Sequence, residues 1–304
     1  MQALKTKVIE LLRSTHHSKS PEAEAEQILF HVARMSNQRI RKPSDLSTQE
    51  VPFGPGQTNE VLQIAENRAK GVPLQHLLGY QFFYSREYSV NSSTLVPRPE
   101  TEVLVDEAIR FLRTRHTRAD FRFAELGIGT AVISCEILSH FPQSKGIASD
   151  VCLDSIELAK KNLKEHLGPE YTSRIDILHS PSSTTGFEIF QPFAPFDLIV
   201  SNPPYLSPED EIDNEVSVFE PASALFPLTN GKPSNPLHFY ESLVDQAPRL
   251  LCPGGAIFLE IPHERAEIIL KLFPKGEFEE ISLIPDLTGR NRLLFATRAK
   301  TQGE

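Results

Sequence analysis

From residue 122 onward, short apolar runs alternate with stretches of helical periodicity, and this alternation limits what the chain can fold into more than any other feature. Strand followed by helix, repeated, is the pattern of a parallel sheet covered by helices. Candidate strands lie at 122–126, 145–149, 175–178, 197–201, 255–261, 279–284 and 292–297, with helices at 130–140, 153–166, 237–251 and 264–272. The expectation is therefore an α/β domain with a largely parallel sheet. In such sheets ligands bind beyond the carboxyl ends of the strands, so the residues that follow each apolar run carry the functional information.

The first run, Phe123-Ala124-Glu125-Leu126-Gly127-Ile128-Gly129-Thr130-Ala131, passes into the helical pattern of Val132, Ile133, Ile137 and Leu138. A strand, glycine turn and helix in that order is where α/β folds bind nucleotides. Gly127 and Gly129 let a ligand approach the backbone. A dinucleotide fingerprint requires glycine where Val132 stands, and no Lys-Ser or Lys-Thr follows the glycines as a phosphate-binding loop requires. Asp150 ends the next apolar run, at the position where an acid commonly grips ribose hydroxyls.

The run at 196–201 ends in Asn202-Pro203-Pro204-Tyr205. Each proline fixes its own φ, lacks an N–H and biases the residue before it toward extended backbone, so the corner is stiff before anything binds. Asn and Pro are also ordinary turn residues. Here they follow a strand whose end shares a rim with Gly127 and Asp150. An amide or exocyclic amine nitrogen is a poor nucleophile because its lone pair is delocalised. Two acceptors on its hydrogens, the Asn202 side-chain oxygen and the Pro203 carbonyl, with Tyr205 stacked on the planar group, would hold that lone pair toward an electrophilic carbon. This is catalysis by orientation. Both motifs together point to a nucleoside-bearing methyl donor facing an amino-type nitrogen.

The two motifs belong to a longer pattern. Gly71-Val72-Pro73-Leu74-Gln75-His76-Leu77-Leu78-Gly79-Tyr80 and Leu95-Val96-Pro97-Arg98-Pro99-Glu100-Thr101-Glu102 precede them, and Glu220-Pro221, Ile257-Phe258-Leu259-Glu260-Ile261 and Asp286-Leu287-Thr288-Gly289-Arg290-Asn291-Arg292 follow. In order and spacing the chain resembles the HemK/PrmC family of protein-glutamine methyltransferases. The resemblance implies a Rossmann-like, seven-stranded class I methyltransferase domain using S-adenosyl-L-methionine, preceded by a small N-terminal helical domain and a β-hairpin linker. It implies a division into a helical substrate-recognition domain at 1–75, a linker at 76–100 and a catalytic domain at 101–304. The implied reaction is methylation of the glutamine side-chain nitrogen in the Gly-Gly-Gln motif of peptide chain release factors. Carried onto this sequence, Gly127, Ile128, Gly129, Thr130, Ala131, Asp150 and Asn202 would hold the donor, and Asn202, Pro203, Pro204 and Tyr205 would bind the glutamine and perform the reaction. Glu125 would organise the glycine turn or meet the donor's amino group. The chain departs from the family at five positions: Ala131 replaces a third glycine, Pro181 an acidic residue after the third strand, Pro262 a glycine, and Asn235-Pro236 the first two residues of a common Asp-Gly-Leu. The change at 181 leaves a backbone amide, or a neighbour such as Ser180 or Ser182, to meet the adenine.

The rest of the chain agrees with this reading. Leu4, Val8, Leu11 and Leu12 share one helical face, Ala25, Ile28, Leu29 and Val32 a second, and Val61, Ala65 and Ala69 a third, while 81–90 reads as a β-hairpin or an extended linker. No apolar stretch reaches the ~18 residues that a membrane span needs, and the N-terminus lacks a signal-peptide pattern. Cys135, Cys152 and Cys252 are dispersed, as expected for free thiols in a reducing cytoplasm. No metal site is expected, since position 267, where a zinc-binding helix would need histidine after His263-Glu264, is Glu267. A net charge of −9 disfavours broad phosphate neutralisation, so nucleic acid is not required as a partner. Arg110, Arg113, Arg115 and Arg118 read as a solvated helix face. Two other readings stay open: an amino methyltransferase acting on a ribosomal-protein glutamine or an extruded base, and a donor-binding module without catalysis.

Overall fold

The computed structural model describes residues 1–15, 17–36, 40, 45–48, 52–115, 120–182, 186–229 and 231–300. The chain divides into two compact units, one formed by Met1–Tyr80 with Ile212–Phe219 and the other by Gln81–Glu211 with Glu220–Glu304.

The first unit is helical: α1 (Gln2–Arg13), α2 (Pro21–Ser36), α3 (Asp45–Thr48), α4 (Pro55–Ala69) and α5 (Leu74–Leu78). Proline occupies the first position of both α2 and α4, where its missing N–H costs nothing and its φ suits the helix. Val8 and Leu12 of α1, Ile28 and Leu29 of α2, and Val61 and Ala65 of α4 meet in one apolar cluster. Arg68, only 4% exposed, sits at the end of α4. Its Nε donates to Glu24 at 2.8 Å, its Nη1 to Glu215 at 2.9 Å and its Nη2 to the His17 carbonyl at 2.6 Å. Glu215 belongs to a helix at Asn214–Phe219 (α9 in chain order) that no sequence pattern announced.

A two-stranded ribbon, β1 (Tyr80–Phe83) and β2 (Arg86–Ser89), follows, and all of it but Tyr80 belongs to the second unit. Helix α6 (Pro99–Arg115) follows. It begins on the Pro-Arg-Pro-Glu-Thr-Glu run assigned above to the linker, since Pro99 at the first turn with Glu100 and Glu102 beside it is a helix start. Arg110 on this helix pairs with Glu107; Arg118 lies outside the described residues. Then come β3 (Arg122–Leu126), α7 (Val132–His140), β4 (Lys145–Asp150), α8 (Leu153–Leu167), β5 (Ile175–His179) and β6 (Phe196–Ser201). After α9 and α10 (Ala222–Leu225), a small ribbon of β7 (Leu228–Thr229) and β8 (Lys232–Pro233) precedes α11 (His238–Leu250), β9 (Leu251–Glu260), α12 (Ala266–Leu272), β10 (Phe278–Pro285) and β11 (Asn291–Arg298).

Seven strands form one sheet in the order β10-β11-β9-β6-β3-β4-β5. Pairs β3/β4, β4/β5, β3/β6 and β6/β9 are parallel, while β11 runs antiparallel to both β9 and β10. This is a Rossmann-like α/β sheet with one antiparallel strand, β11, in an otherwise parallel core. Alternation along the strands divides two cores. Phe123, Ala148, Leu198 and Val200 face the cluster built with α6, α7 and α8, whereas Ala124, Ile147 and Ile199 face the one built with α11 and α12. The strand order reverses at β3, which places the ends of β3, β4 and β6 side by side at the switch point where open α/β sheets bind ligands.

Candidate functional site

At the end of β3, Gly127 and Gly129 adopt left-handed backbone with φ of 77° and 49°. The N–H groups of Gly127 and Ile128 donate to the Ser149 carbonyl at 2.9 and 2.8 Å, which stitches the turn to the end of β4. A Cβ on either glycine would meet no protein atom within 4 Å, so the space beside the turn is open. Ala131 also adopts positive φ, 63°, just before α7. A left-handed conformation costs an L-residue about 1–2 kcal/mol, which is the physical reason glycine suits this position and makes Ala131 a strained substitute.

Glu125 turns inward. It is 1% exposed, and its Oε2 accepts the Ser134 N–H at 3.0 Å together with the Ser134 hydroxyl. Burial pushes its carboxyl up to about 8, against those bonds and with a further push from the Asp150 charge. It ties the strand to the first turn of α7 and does not line the cavity. Asp150 faces the cavity: Oδ2 accepts the Gly129 N–H and Oδ1 the Cys152 N–H, both at 2.9 Å. Burial raises its carboxyl while these bonds oppose the rise.

The end of β6 is fixed to β3 by the Ser201 hydroxyl, which donates to the Leu126 carbonyl at 2.6 Å. Next in the chain, Asn202 and Pro204 line the same cavity as Gly127, Gly129 and Asp150. The other expected site residues stand back from it. Ile128, Thr130 and Ala131 are buried behind the turn, with the Thr130 carbonyl accepting from Asn162 Nδ2 at 2.9 Å. Pro203 is buried and Tyr205 half-buried, and neither borders the cavity. Burial first, and then the Glu260 charge, raise the Tyr205 phenol above its ordinary value, so it stays a neutral hydrogen-bond donor.

Other cavity residues escaped the sequence reading. Ser93, Thr94 and Leu95 enter from the segment ahead of α6, and Phe187 and Phe239 supply an aromatic wall. Thr94 is 1% exposed, and its hydroxyl is buried with no hydrogen-bond partner among the described residues. A buried hydroxyl with no partner among the described residues, at a cavity wall, is free to bond a molecule in the cavity. Around Pro181, both Ser180 and Ser182 line the cavity. The Ser180 N–H donates to the Asp150 carbonyl at 2.8 Å and its hydroxyl to the Ser182 carbonyl at 2.7 Å, so the position lacking an acid is still held against the β4 end. A carboxylate on a strand end, open space beside two glycines, an unpartnered hydroxyl and apolar walls fit a nucleoside-bearing donor. Among the described residues no three His, Cys, Asp or Glu side chains gather to hold a metal ion, and no helix is long and apolar enough to cross a membrane.

Residues 102–224 match the family described as "Methyltransferase small domain". The chain is 31% identical over 286 residues to the release factor glutamine methyltransferase of Rhodopirellula baltica, covering 93% of this chain and 91% of that protein. It is 31% identical over 265 residues to the protein of the same name from Pasteurella multocida, covering 83% of this chain and 84% of that one. A bifunctional methyltransferase of Rickettsia typhi is 31% identical over 293 residues, which are 90% of this chain and 53% of the relative. The chain thus spans about half the length of that longer relative.

Proposed function

Because the chain belongs to the release factor glutamine methyltransferase family, we propose that it methylates the side-chain nitrogen of the glutamine in the Gly-Gly-Gln motif of a peptide chain release factor. The observation that carries the reading is the meeting of Asn202 and Pro204 with Gly127, Gly129 and Asp150 around one cavity. S-adenosylmethionine would supply a sulfonium methyl, so that the amide nitrogen's lone pair forms the new N–C bond, the C–S electron pair passes to sulfur and the nitrogen then sheds a proton to solvent.

Asp150 holds ribose hydroxyls with the lone pairs its backbone bonds leave free. Gly127 and Gly129 let the donor lie against the turn. Thr94 supplies a hydroxyl, and Phe187 and Phe239 wall the cavity. Asn202 Oδ1 and the Pro203 carbonyl accept from the two hydrogens of the glutamine NH2, which turns its lone pair toward the methyl carbon. Tyr205 packs against the planar amide as a neutral ring. The chain contributes orientation and a partly desolvated wall, not a base, because the alkylated nitrogen is acidic enough to lose its proton unaided. The helical unit, Met1–Tyr80 with Ile212–Phe219, holds the release factor.

The test incubates purified protein with methyl-labelled S-adenosylmethionine and each release factor, and locates the label by peptide mass spectrometry. The expected result is one label on the glutamine of Gly-Gly-Gln, absent when that glutamine is changed to alanine. Label elsewhere, or none on any release factor, refutes the proposal.

A further inference from the structure

Behind the acceptor corner lies a chain of hydrogen bonds that the reaction as described does not use. Asn202 Nδ2 donates to Thr101 Oγ1 at 3.2 Å, and Thr101 Oγ1 donates to Glu260 Oε2 at 2.8 Å. The other carboxylate oxygen of Glu260, Oε1, accepts from the Tyr205 hydroxyl at 3.4 Å. The topology explains the convergence. β6 and β9 are parallel neighbours with Ser201 opposite Leu259, so Asn202 and Glu260 are each the next residue along adjacent strands. Thr101 comes from the first turn of α6 and is 2% exposed; Glu260 is also 2% exposed, and its carbonyl accepts from the Tyr240 hydroxyl at 3.1 Å.

The direction of these bonds matters more than their number. A threonine hydroxyl has one proton, and with Glu260 ionised, above the value of about 7 to which burial raises its carboxyl, that proton goes to the carboxylate. What remains on Thr101 Oγ1 is a pair of acceptor sites, which suit the NH2 of Asn202 and repel its carbonyl oxygen. The Asn202 amide is thereby held with nitrogen toward the protein and Oδ1 turned the other way. In the opposite orientation Asn202 would offer hydrogens where the proposed substrate also offers hydrogens. The same carboxylate holds the Tyr205 ring, so one buried group steadies both polar walls of the corner.

We infer that Thr101 and Glu260 are positioning residues that set the orientation of the Asn202 amide, and with it the preference for a substrate that presents an NH2 donor. The inference rests on the reading of Asn202 as the glutamine-binding acceptor and adds the device that makes it one. It extends to specificity: a substrate offering a carbonyl or carboxylate oxygen at that point meets Oδ1 and is rejected.

The test compares wild type with Thr101→Val, which keeps the shape and removes the hydroxyl, and with Thr101→Ser, which restores it. Assays use the full chain, saturating S-adenosylmethionine and an unmethylated release factor, with donor affinity from calorimetry and a thermal melt on each variant. Thr101→Val is expected to lower kcat about 100-fold, the scale of a misplaced reacting group, and to leave donor Kd within about twofold. Thr101→Ser is expected to return kcat to within about threefold of wild type, and Thr101→Val is expected to add less than about twofold to the loss in an Asn202→Ala background, because it acts through that side chain. Near-normal kcat for Thr101→Val, failure of serine to rescue, or a full multiplicative loss in the double variant each overturns the inference. Should Thr101→Val fail to fold, Glu260→Gln carries the test: a carboxamide offers one acceptor where two donors converge, so kcat should fall with donor Kd kept, and unchanged kcat overturns it. Absence of methylation by the wild type would instead count against the function proposed above.

Discussion

Glu125→Gln tests whether the inward carboxyl of the glycine turn is a neutral structural group. Burial raises this carboxyl from 4.5 to about 8, so over that interval the folded protein holds a proton that the unfolded chain releases. The stability linked to that proton is fully present below about pH 4.5, declines as pH rises and is gone above about pH 8. At about 1.4 kcal/mol per pH unit the interval corresponds to roughly 5 kcal/mol. Glutamine is neutral at every pH, and because both Ser134 bonds converge on Oε2, one carboxamide oxygen can keep both. Its NH2 adds a buried donor that costs about 1–3 kcal/mol, equally at every pH. Urea unfolding of variant and wild type, near pH 5 and again near pH 8.5, isolates the titrating part. Relative to wild type, the variant should gain several kcal/mol between the two conditions. A stability gap that is the same at both would show that Glu125 is ionised in the folded protein, and would refute the argument from burial.

Asn202→Ala should lower kcat by about 100- to 1,000-fold, the cost of losing one preorganised hydrogen-bond partner, with donor Kd by calorimetry changed only a few-fold; a near-normal rate removes Asn202 from the mechanism. Thr94→Val should weaken donor binding about fivefold, the worth of one hydrogen bond, while leaving kcat at saturating donor intact and the ligand-free protein no less stable. Unchanged donor affinity would take Thr94 out of the donor site. Arg68→Ala should destabilise the helical unit by about 3 kcal/mol, since it strands two partly buried carboxylates, Glu24 and Glu215. A melt that does not shift would show these carboxylates to be sufficiently hydrated without it.

The parallel strands were legible to within a few residues because both of their faces are buried, which turns them into nearly continuous apolar runs. The run at 197–201 proved to be β6, Phe196–Ser201. Where polar or turn-forming residues sit inside regular structure, the reading slipped: β9 begins at Leu251, because Cys252-Pro253-Gly254-Gly255 looks like a turn yet is strand. The start of helix α6 was hidden for a similar reason, its proline-rich opening resembling a linker, although its later arginines read as a helix face. At the site, residues that end strands were legible, since topology alone brings strand ends together. Thr94, Phe187 and Phe239 were not, because they reach the cavity from segments whose direction depends on tertiary packing. Ala131 shows a further limit. Its strain comes from a left-handed backbone, and no side-chain pattern reports φ.

Residues 212–219 make the two units inseparable in a way that a linear map hides. The chain crosses between them three times, at 80/81, 211/212 and 219/220. A protease nick or gene truncation at the first crossing would not free a self-sufficient second unit, for eight residues that begin soon after Tyr205 would lose Arg68, the guanidinium to which Glu215 is moored. Any chimera that transplants this sheet onto another helical unit must therefore carry a piece of the old unit's interior with it, or redesign the excursion outright.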